Sequence, residues 1–219
     1  MKRDAATRAR LLAAAERLFA DRGFKKVTVR EICRAARANV AAINYHFGDK
    51  LGLYREVLRS AIDRMRATTD AVREAGEGRA PEERLLRSIE TFVTRILASD
   101  SDTVHKLIHR EINDPTPALD ALVEQGLRPR IDHMARLVSD LLEAPVADRR
   151  VLRCVASIQT QLTAYFPNPI TTRLGFSVVP RTPEDIRSIA GHIAAFSLGG
   201  VRAAAAGSKP ARRAKRIRG

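Results

Sequence analysis

The chain has no tryptophan, only two cysteines, and an aromatic content of 5% in 219 residues. Two cysteines, Cys33 and Cys154, do not make a disulfide framework. Cys33 falls on an apolar helical face, and core thiols in a reducing cytoplasm are the expectation for both. No uninterrupted run of 18 apolar residues occurs, so no membrane span is expected. Met1-Lys2-Arg3 leads into a charged segment rather than the apolar core of a signal peptide. No stretch alternates apolar and polar residues at convincing length, which argues against a sheet. HExxH, GxSxG, a phosphate-binding glycine loop and cysteine pairs at metal spacing are all missing. The sequence therefore offers no enzyme, no cofactor and no metal centre.

What is abundant is positive charge, and it is unevenly placed. The net charge is +14, of which residues 1–50 carry +7, residues 207–219 carry +6, and the 156 residues between them only +1. A basic head on a balanced body suggests a polyanionic partner for the head and a separate task for the body. An architectural protein that merely compacts DNA would share the charge, but it has no need of a neutral body this long.

The head is built around residues 27–54, VTVREICRAARANVAAINYHFGDKLGLY. Thr28 is placed to cap a helix whose apolar face is Val29, Ile32, Cys33 and Ala36. Asn39 is a second cap, and Val40, Ile43 and Phe47 form a second stripe. Ala41, Ala42, Asn44, Tyr45 and His46 are left to point outward. Two short helices joined by so tight a turn suit a helix-turn-helix whose second helix enters the DNA major groove. An earlier helix, capped by Asp4 or Thr7 and ended by Gly23, buries Leu11, Leu12, Ala15, Leu18 and Phe19. Asp49 caps a long helix that runs into the seventies.

This head resembles the DNA-binding domain of the TetR family of bacterial transcriptional regulators. The resemblance lies in Gly23-Phe24, Thr28-Val29, Ile32, Ala35-Ala36, Ala41-Ala42-Ile43, Tyr45-His46-Phe47, Lys50 and Leu53-Tyr54. It departs in the turn, where Arg37-Ala38 replaces the usual Gly-Val; if Arg37 needs positive φ, the penalty is about 1 kcal/mol. The resemblance implies phosphate contacts from Thr28 and Lys50, phosphate or base contacts from Tyr45 and His46, and a base-reading surface of Asn39, Val40, Ala41, Ala42 and Asn44. It also implies a homodimer on an operator.

The rest of the chain reads as all-α. Helices are expected from Pro81, from Ser101 or Asp102 to before Asp114, from Pro117 to Glu143 with a kink or split at Pro129, from Ala147 to Phe166, and from Thr182 to Gly207. A connection with four prolines occupies 167–183. His109-Arg110-Glu111, Asp114-Pro115-Thr116-Pro117-Ala118 and Pro129 resemble the ligand-binding domain of the CecR-like TetR subgroup. That likeness implies a small-molecule cavity and a dimer built on the last two long helices. His105 and His109, at i and i+4, lack a third metal ligand and read as cavity or surface histidines. Gln159, Gln161, Thr163 and Tyr165 are either a polar wall facing a ligand or a surface packed on a second copy; Gln159 and Tyr165 join the two histidines as ligand-binding candidates.

The expected organisation is a DNA-binding domain at 1–50, a ligand-binding and dimerisation domain at 51–206, and a basic disordered tail at 207–219. The tail either adds non-specific DNA affinity, solubilises the end, or meets an anionic surface. The reading is a cytoplasmic repressor released from DNA by a small molecule.

Overall fold

The computed structural model describes residues 2–97, 102–166, 169–175, 179–180 and 182–206. The 207–219 tail lies outside the described residues. Among these residues there is no strand. The helices are α1 Lys2–Arg22, α2 Val29–Ala36, α3 Val40–Phe47, α4 Lys50–Gly76, α5 Pro81–Ile96, α6 Asp102–Asn113, α7 Leu119–Ala121, α8 Arg128–Leu142, α9 Arg149–Thr163, α10 Pro169–Arg173 and α11 Pro183–Ala206. The first helix begins at Lys2, before Asp4 and Thr7, so neither caps it.

The chain divides into two compact units, Met1–Ala71 with Arg95–Arg130, and Val72–Thr94 with Ile131–Gly219. Packing therefore groups α6, α7 and most of α4 with the head, a division drawn on different grounds from a functional boundary at residue 50.

Unit 1 buries Leu11, Phe19, Ile32, Ile43, Leu53 and Leu58 in one cluster. Phe19, Phe24 and Tyr54 pack with ring centroids 5.0 and 6.0 Å apart. At the floor of this cluster Glu111 is fully buried. Its carboxylate accepts from the Tyr54 hydroxyl at 2.6 Å and from the Thr116 backbone N–H and hydroxyl, both at 2.8 Å. Arg110 donates to the carbonyls of Ala20 and Asp21 at the open end of α1, where a cation suits the helix dipole. Lys25 pairs with Asp114.

Pro129 does not split the helix. Residues Leu122–Leu127 form a π-helical stretch that leads into α8. The widened register lets the Arg128 N–H reach the Val123 carbonyl. Proline leaves the Gln125 carbonyl without its helical donor, and Arg66 Nε–H of α4 supplies one at 3.0 Å. Gly126 permits the close approach of α4, since a Cβ there would sit 3.1 Å from Met65 Sδ and Cε. The strain of a proline inside a helix is thus absorbed by a wider turn and one guanidinium.

Unit 2 has α5, α8, α9 and α11 around Leu85, Ile89, Val138, Val155, Ile158, Ile193 and Leu198, all buried. Thr182 and Asp185 close a reciprocal cap on α11, through a 2.9 Å bond from the Thr182 N–H and a 3.1 Å bond from the Asp185 N–H. Arg202 holds Glu82 of α5 with two bonds of 2.8 and 2.6 Å. By length and composition α11 could cross a membrane, with mean hydropathy 1.3, although the sequence contains no uninterrupted apolar run of that length. One face of α11 packs on α9, and the other exposes Gly191, Ala195, Phe196, Gly199 and Gly200.

Candidate nucleic-acid interface

The α2–α3 pair is capped by side chains at both N-terminal ends and by backbone N–H groups at both C-terminal ends. The Thr28 hydroxyl accepts from the Glu31 N–H, and the Glu31 carboxylate accepts from the Thr28 N–H at 2.8 Å, a complete capping box. Those bonds, with Arg22 at 2.7 Å, hold the exposed Glu31 carboxyl down to about 2. Thr28 is therefore already engaged by a carboxylate, which the sequence reading of a free phosphate ligand did not foresee.

The turn takes the conformation that the Gly-to-Arg departure made questionable. Arg37 sits in the left-handed region at φ 49, ψ 51, where a non-glycine residue is disfavoured by about 1 kcal/mol. Asn39 caps α3 by accepting from the Ala42 N–H at 2.9 Å. Gly48, at φ 79, ends α3 and donates to the Asn44 carbonyl at 3.0 Å. Asp49 accepts from the Gly52 N–H at 2.7 Å and so caps α4 as expected. Gly52 is sterically required, because a Cβ there would lie 2.0 Å from the Phe47 carbonyl oxygen.

Ile43 anchors α3 with no exposed area, while Val40 is 44% and Tyr45 77% exposed. Asn39, Ala41 and Asn44 are also exposed. Two expectations need correction. Ala42 is half-buried and packs on the core of unit 1. His46 turns inward: its side chain is 8% exposed, and Nε2 lies 3.4 Å from Asp4 Oδ1 of α1. It also packs edgewise on Tyr45, with centroids 4.9 Å apart. His46 follows Tyr45 by one position, so a 100° helical step carries it from the open face toward α1. Lys50 lies with Nζ 4.3 Å from the Phe24 ring centroid, and burial lowers its pKa.

Beside the exposed face of α3 is a recess of about 390 Å³ lined by Thr7, Arg10, Arg37, Ala38, Asn39 and Ala42. No acid lines it. Sequence reading took Arg37 as a geometric difficulty only; its charge next to Arg10 becomes visible when α1 packs on the turn.

The four ligand candidates are divided between the two units. His105 and His109 belong to unit 1, with ring centroids 6.3 Å apart, and Gln159 and Tyr165 belong to unit 2. No group of three or more potential metal ligands occurs among the described residues. The amide nitrogen and oxygen of Gln159 are both buried and have no hydrogen-bond partner. Unit 2 also contains an open cavity of about 580 Å³ with Arg84, Ser88, His133 and Leu137 among its lining residues. Sequence reading missed it. Its signal was Ser88, a polar residue three positions after Leu85 on the otherwise apolar face of α5.

Comparison with known proteins places both parts of the chain. Residues 11–57 match the description "Bacterial regulatory proteins, tetR family". Residues 81–201 match the C-terminal domain of the HTH-type transcriptional dual regulator CecR. The CecR of Shigella flexneri is 27% identical over 164 residues, 71% of this chain and 73% of that one. A probable HTH-type transcriptional regulator of Bacillus subtilis, YttP, is 24% identical over 57% of this chain and 66% of its own length. A TetR-family member of known structure from Streptomyces coelicolor superposes with a TM-score of 0.65 at 19% identity, over 87% of this chain and 90% of its own. The two domain matches, the common fold and the helix-turn-helix geometry lead to one conclusion: the chain belongs to the TetR family of bacterial transcriptional regulators, as a DNA-binding regulator with a CecR-type C-terminal domain.

Proposed function

We propose that this regulator is a homodimeric repressor that reads an operator with the open face of α3 and leaves it when a small molecule occupies unit 2. The observation that carries the DNA reading is the outward face of α3, where Asn44 and Tyr45 stand free while Ile43 holds the helix down. Asn44 suits an adenine edge, and Val40 and Ala41 suit thymine methyl groups. Tyr45, Lys50 and the Arg10–Arg37 recess take backbone phosphates, the recess adding two cations beside the N-terminus of α3. Asn39 and Thr28 act chiefly as caps, and His46 sets the angle of α3 against α1. Such a protein works in the cytoplasm and needs no catalytic group.

Dimerisation is assigned to the open side of α9 and α11. Leu152 is 53% and Phe196 64% exposed, and Gly191, Gly199 and Gly200 have open space where a Cβ would be. A twofold copy packed there forms a four-helix interface. Ile158, Leu162 and Ile193, on the same two helices, are buried inside the protomer and are not available for this role.

The release step rests on α4, which runs from Lys50 to Gly76 without a break. Recognition helices of a dimer must lie about one DNA turn apart, roughly 34–36 Å, and a tilt of α4 changes that spacing. An effector shifts the equilibrium only if it prefers the misplaced conformation. A hundredfold loss of operator affinity requires about 2.7 kcal/mol of coupling.

The test is selection of DNA from a random pool by the full chain. A twofold-related motif is expected, and Asn44→Ala should lose about 1–3 kcal/mol of discrimination at one base pair. Equal binding of all sequences would instead favour the architectural reading.

A further inference from the structure

The cavity of unit 2 is formed by the end of α4, the following turn, α5 and α8. Its interior and its mouth differ in chemistry. Ser88 and Leu137 are buried and Arg84 and His133 half-buried, whereas Arg73, Glu74, Glu77 and Arg79 are exposed. The two carboxylates that line the cavity are thus on exposed residues, and the inner residues supply donors. Ser88 Oγ lies 3.5 Å from His133 Nε2. Arg84 is aligned by Asp140 at 3.1 Å, which fixes one side of its fork and leaves further N–H groups. The imidazole pKa of His133 is lowered to about 4, first by burial and then by Arg73, Arg136 and Arg84. The surrounding acids Glu74, Glu77 and Asp140 do not offset those three cations at the ring. Near pH 7 the interior is therefore a neutral imidazole in a net positive field, an arrangement that is relieved by an anion.

We infer that this cavity binds a small organic acid, with its carboxylate against Arg84, Ser88 and His133 and its apolar part against Leu137. The inference rests on the effector reading above and gives that effector a chemical class. A guanidinium fork matches a carboxylate in plane and charge, which a neutral amide of the same shape does not. The volume of about 580 Å³ is of the size that drug-sized molecules fill.

The test compares 4-phenylbutyrate with 4-phenylbutyramide on the full-length chain, by calorimetry and by the His133 ring resonances, assigned with His133→Gln. The acid is expected to bind about tenfold or more tightly than the amide. Arg84→Gln should reduce the acid to the amide's affinity, and bound acid should move the His133 titration midpoint upward. Ser88→Ala, a smaller change at one of the proposed contacts, gives the same comparison if Arg84→Gln fails to fold. Equal binding of acid and amide, an acid affinity unchanged by these variants, or no binding of the acid at millimolar concentration would overturn the inference. Operator affinity measured in the same samples separates the two claims. Acid bound through Arg84 without loss of operator affinity supports the site and contradicts the release step. Release by the acid that persists undiminished in Arg84→Gln supports release and contradicts the site.

Discussion

Glu111 in unit 1 and Gln159 in unit 2 are both polar side chains with buried ends, and they are treated in opposite ways. The Glu111 carboxylate receives three donors from Tyr54 and Thr116. The Gln159 amide receives none and gives none. Glu111 is a finished piece of construction that joins α4 to the α6–α7 turn. A buried amide left unpaired is destabilising by about 1–3 kcal/mol, so it is expected where something outside the protomer completes it. The same contrast extends outward: unit 1 exposes the polar and aromatic face of α3, while unit 2 exposes Leu152 and Phe196 and holds an open cavity. The head has its buried carboxylate paired within the chain; in the function proposed above, a second copy and an effector complete the body.

The largest effect that would break this contrast is at Glu111. Replacing it with Ala strands the Tyr54 hydroxyl, whose pKa is already raised by burial and by this hydrogen bond. Urea unfolding should show a loss of about 3 kcal/mol or more; a loss below about 1 kcal/mol would mean that the network is not the fastening described. Next is Phe196→Asp, which should weaken the dimer by about 2–4 kcal/mol while each protomer stays folded. Sedimentation should then give a helical monomer, and an intact dimer would place the interface elsewhere. Smaller again is Arg37→Gly, with two effects of opposite sign. Relief of the left-handed strain, offset in part by the greater freedom of unfolded glycine, should stabilise the head by up to about 1 kcal/mol. Loss of the cation should lower the log–log salt slope of DNA binding by about one unit. A slope equal to that of the parent chain would remove Arg37 from the phosphate contacts.

The head was legible because its signals are local. Thr28, Asn39 and Asp49 cap the helices they precede, and Thr182 does the same in the body. The stripes at i, i+3 and i+4 place Ile32 and Ile43 in the core, although Val40, on the second stripe, stays exposed. Legibility ended where a role depends on what packs across the helix. His46 is polar and follows an outward residue, yet α1 covers it. Glu111 follows Val104 and Leu107 on the apolar side of α6, but its burial was not read from that spacing, and its donors come from residues 54 and 116. Pro129 signalled a disturbance correctly, but not that a π-helical stretch and Arg66 would absorb it. The cavity was invisible because Arg84, Ser88 and His133 converge only when α5 and α8 pack. Ile158, Leu162 and Ile193 show the limit of pattern alone: an apolar stripe says that a face is covered, not whether its own chain or a copy covers it.

The most direct test of the contrast is urea unfolding of Gln159→Leu without effector, at a fixed protein concentration that keeps the dimer intact. Leucine nearly conserves volume and removes an unpaired buried amide, so a gain of about 1 kcal/mol is expected. A loss of similar size would contradict the contrast, showing that the Gln159 amide is already paired and that unit 2, like unit 1, leaves no such group unsatisfied.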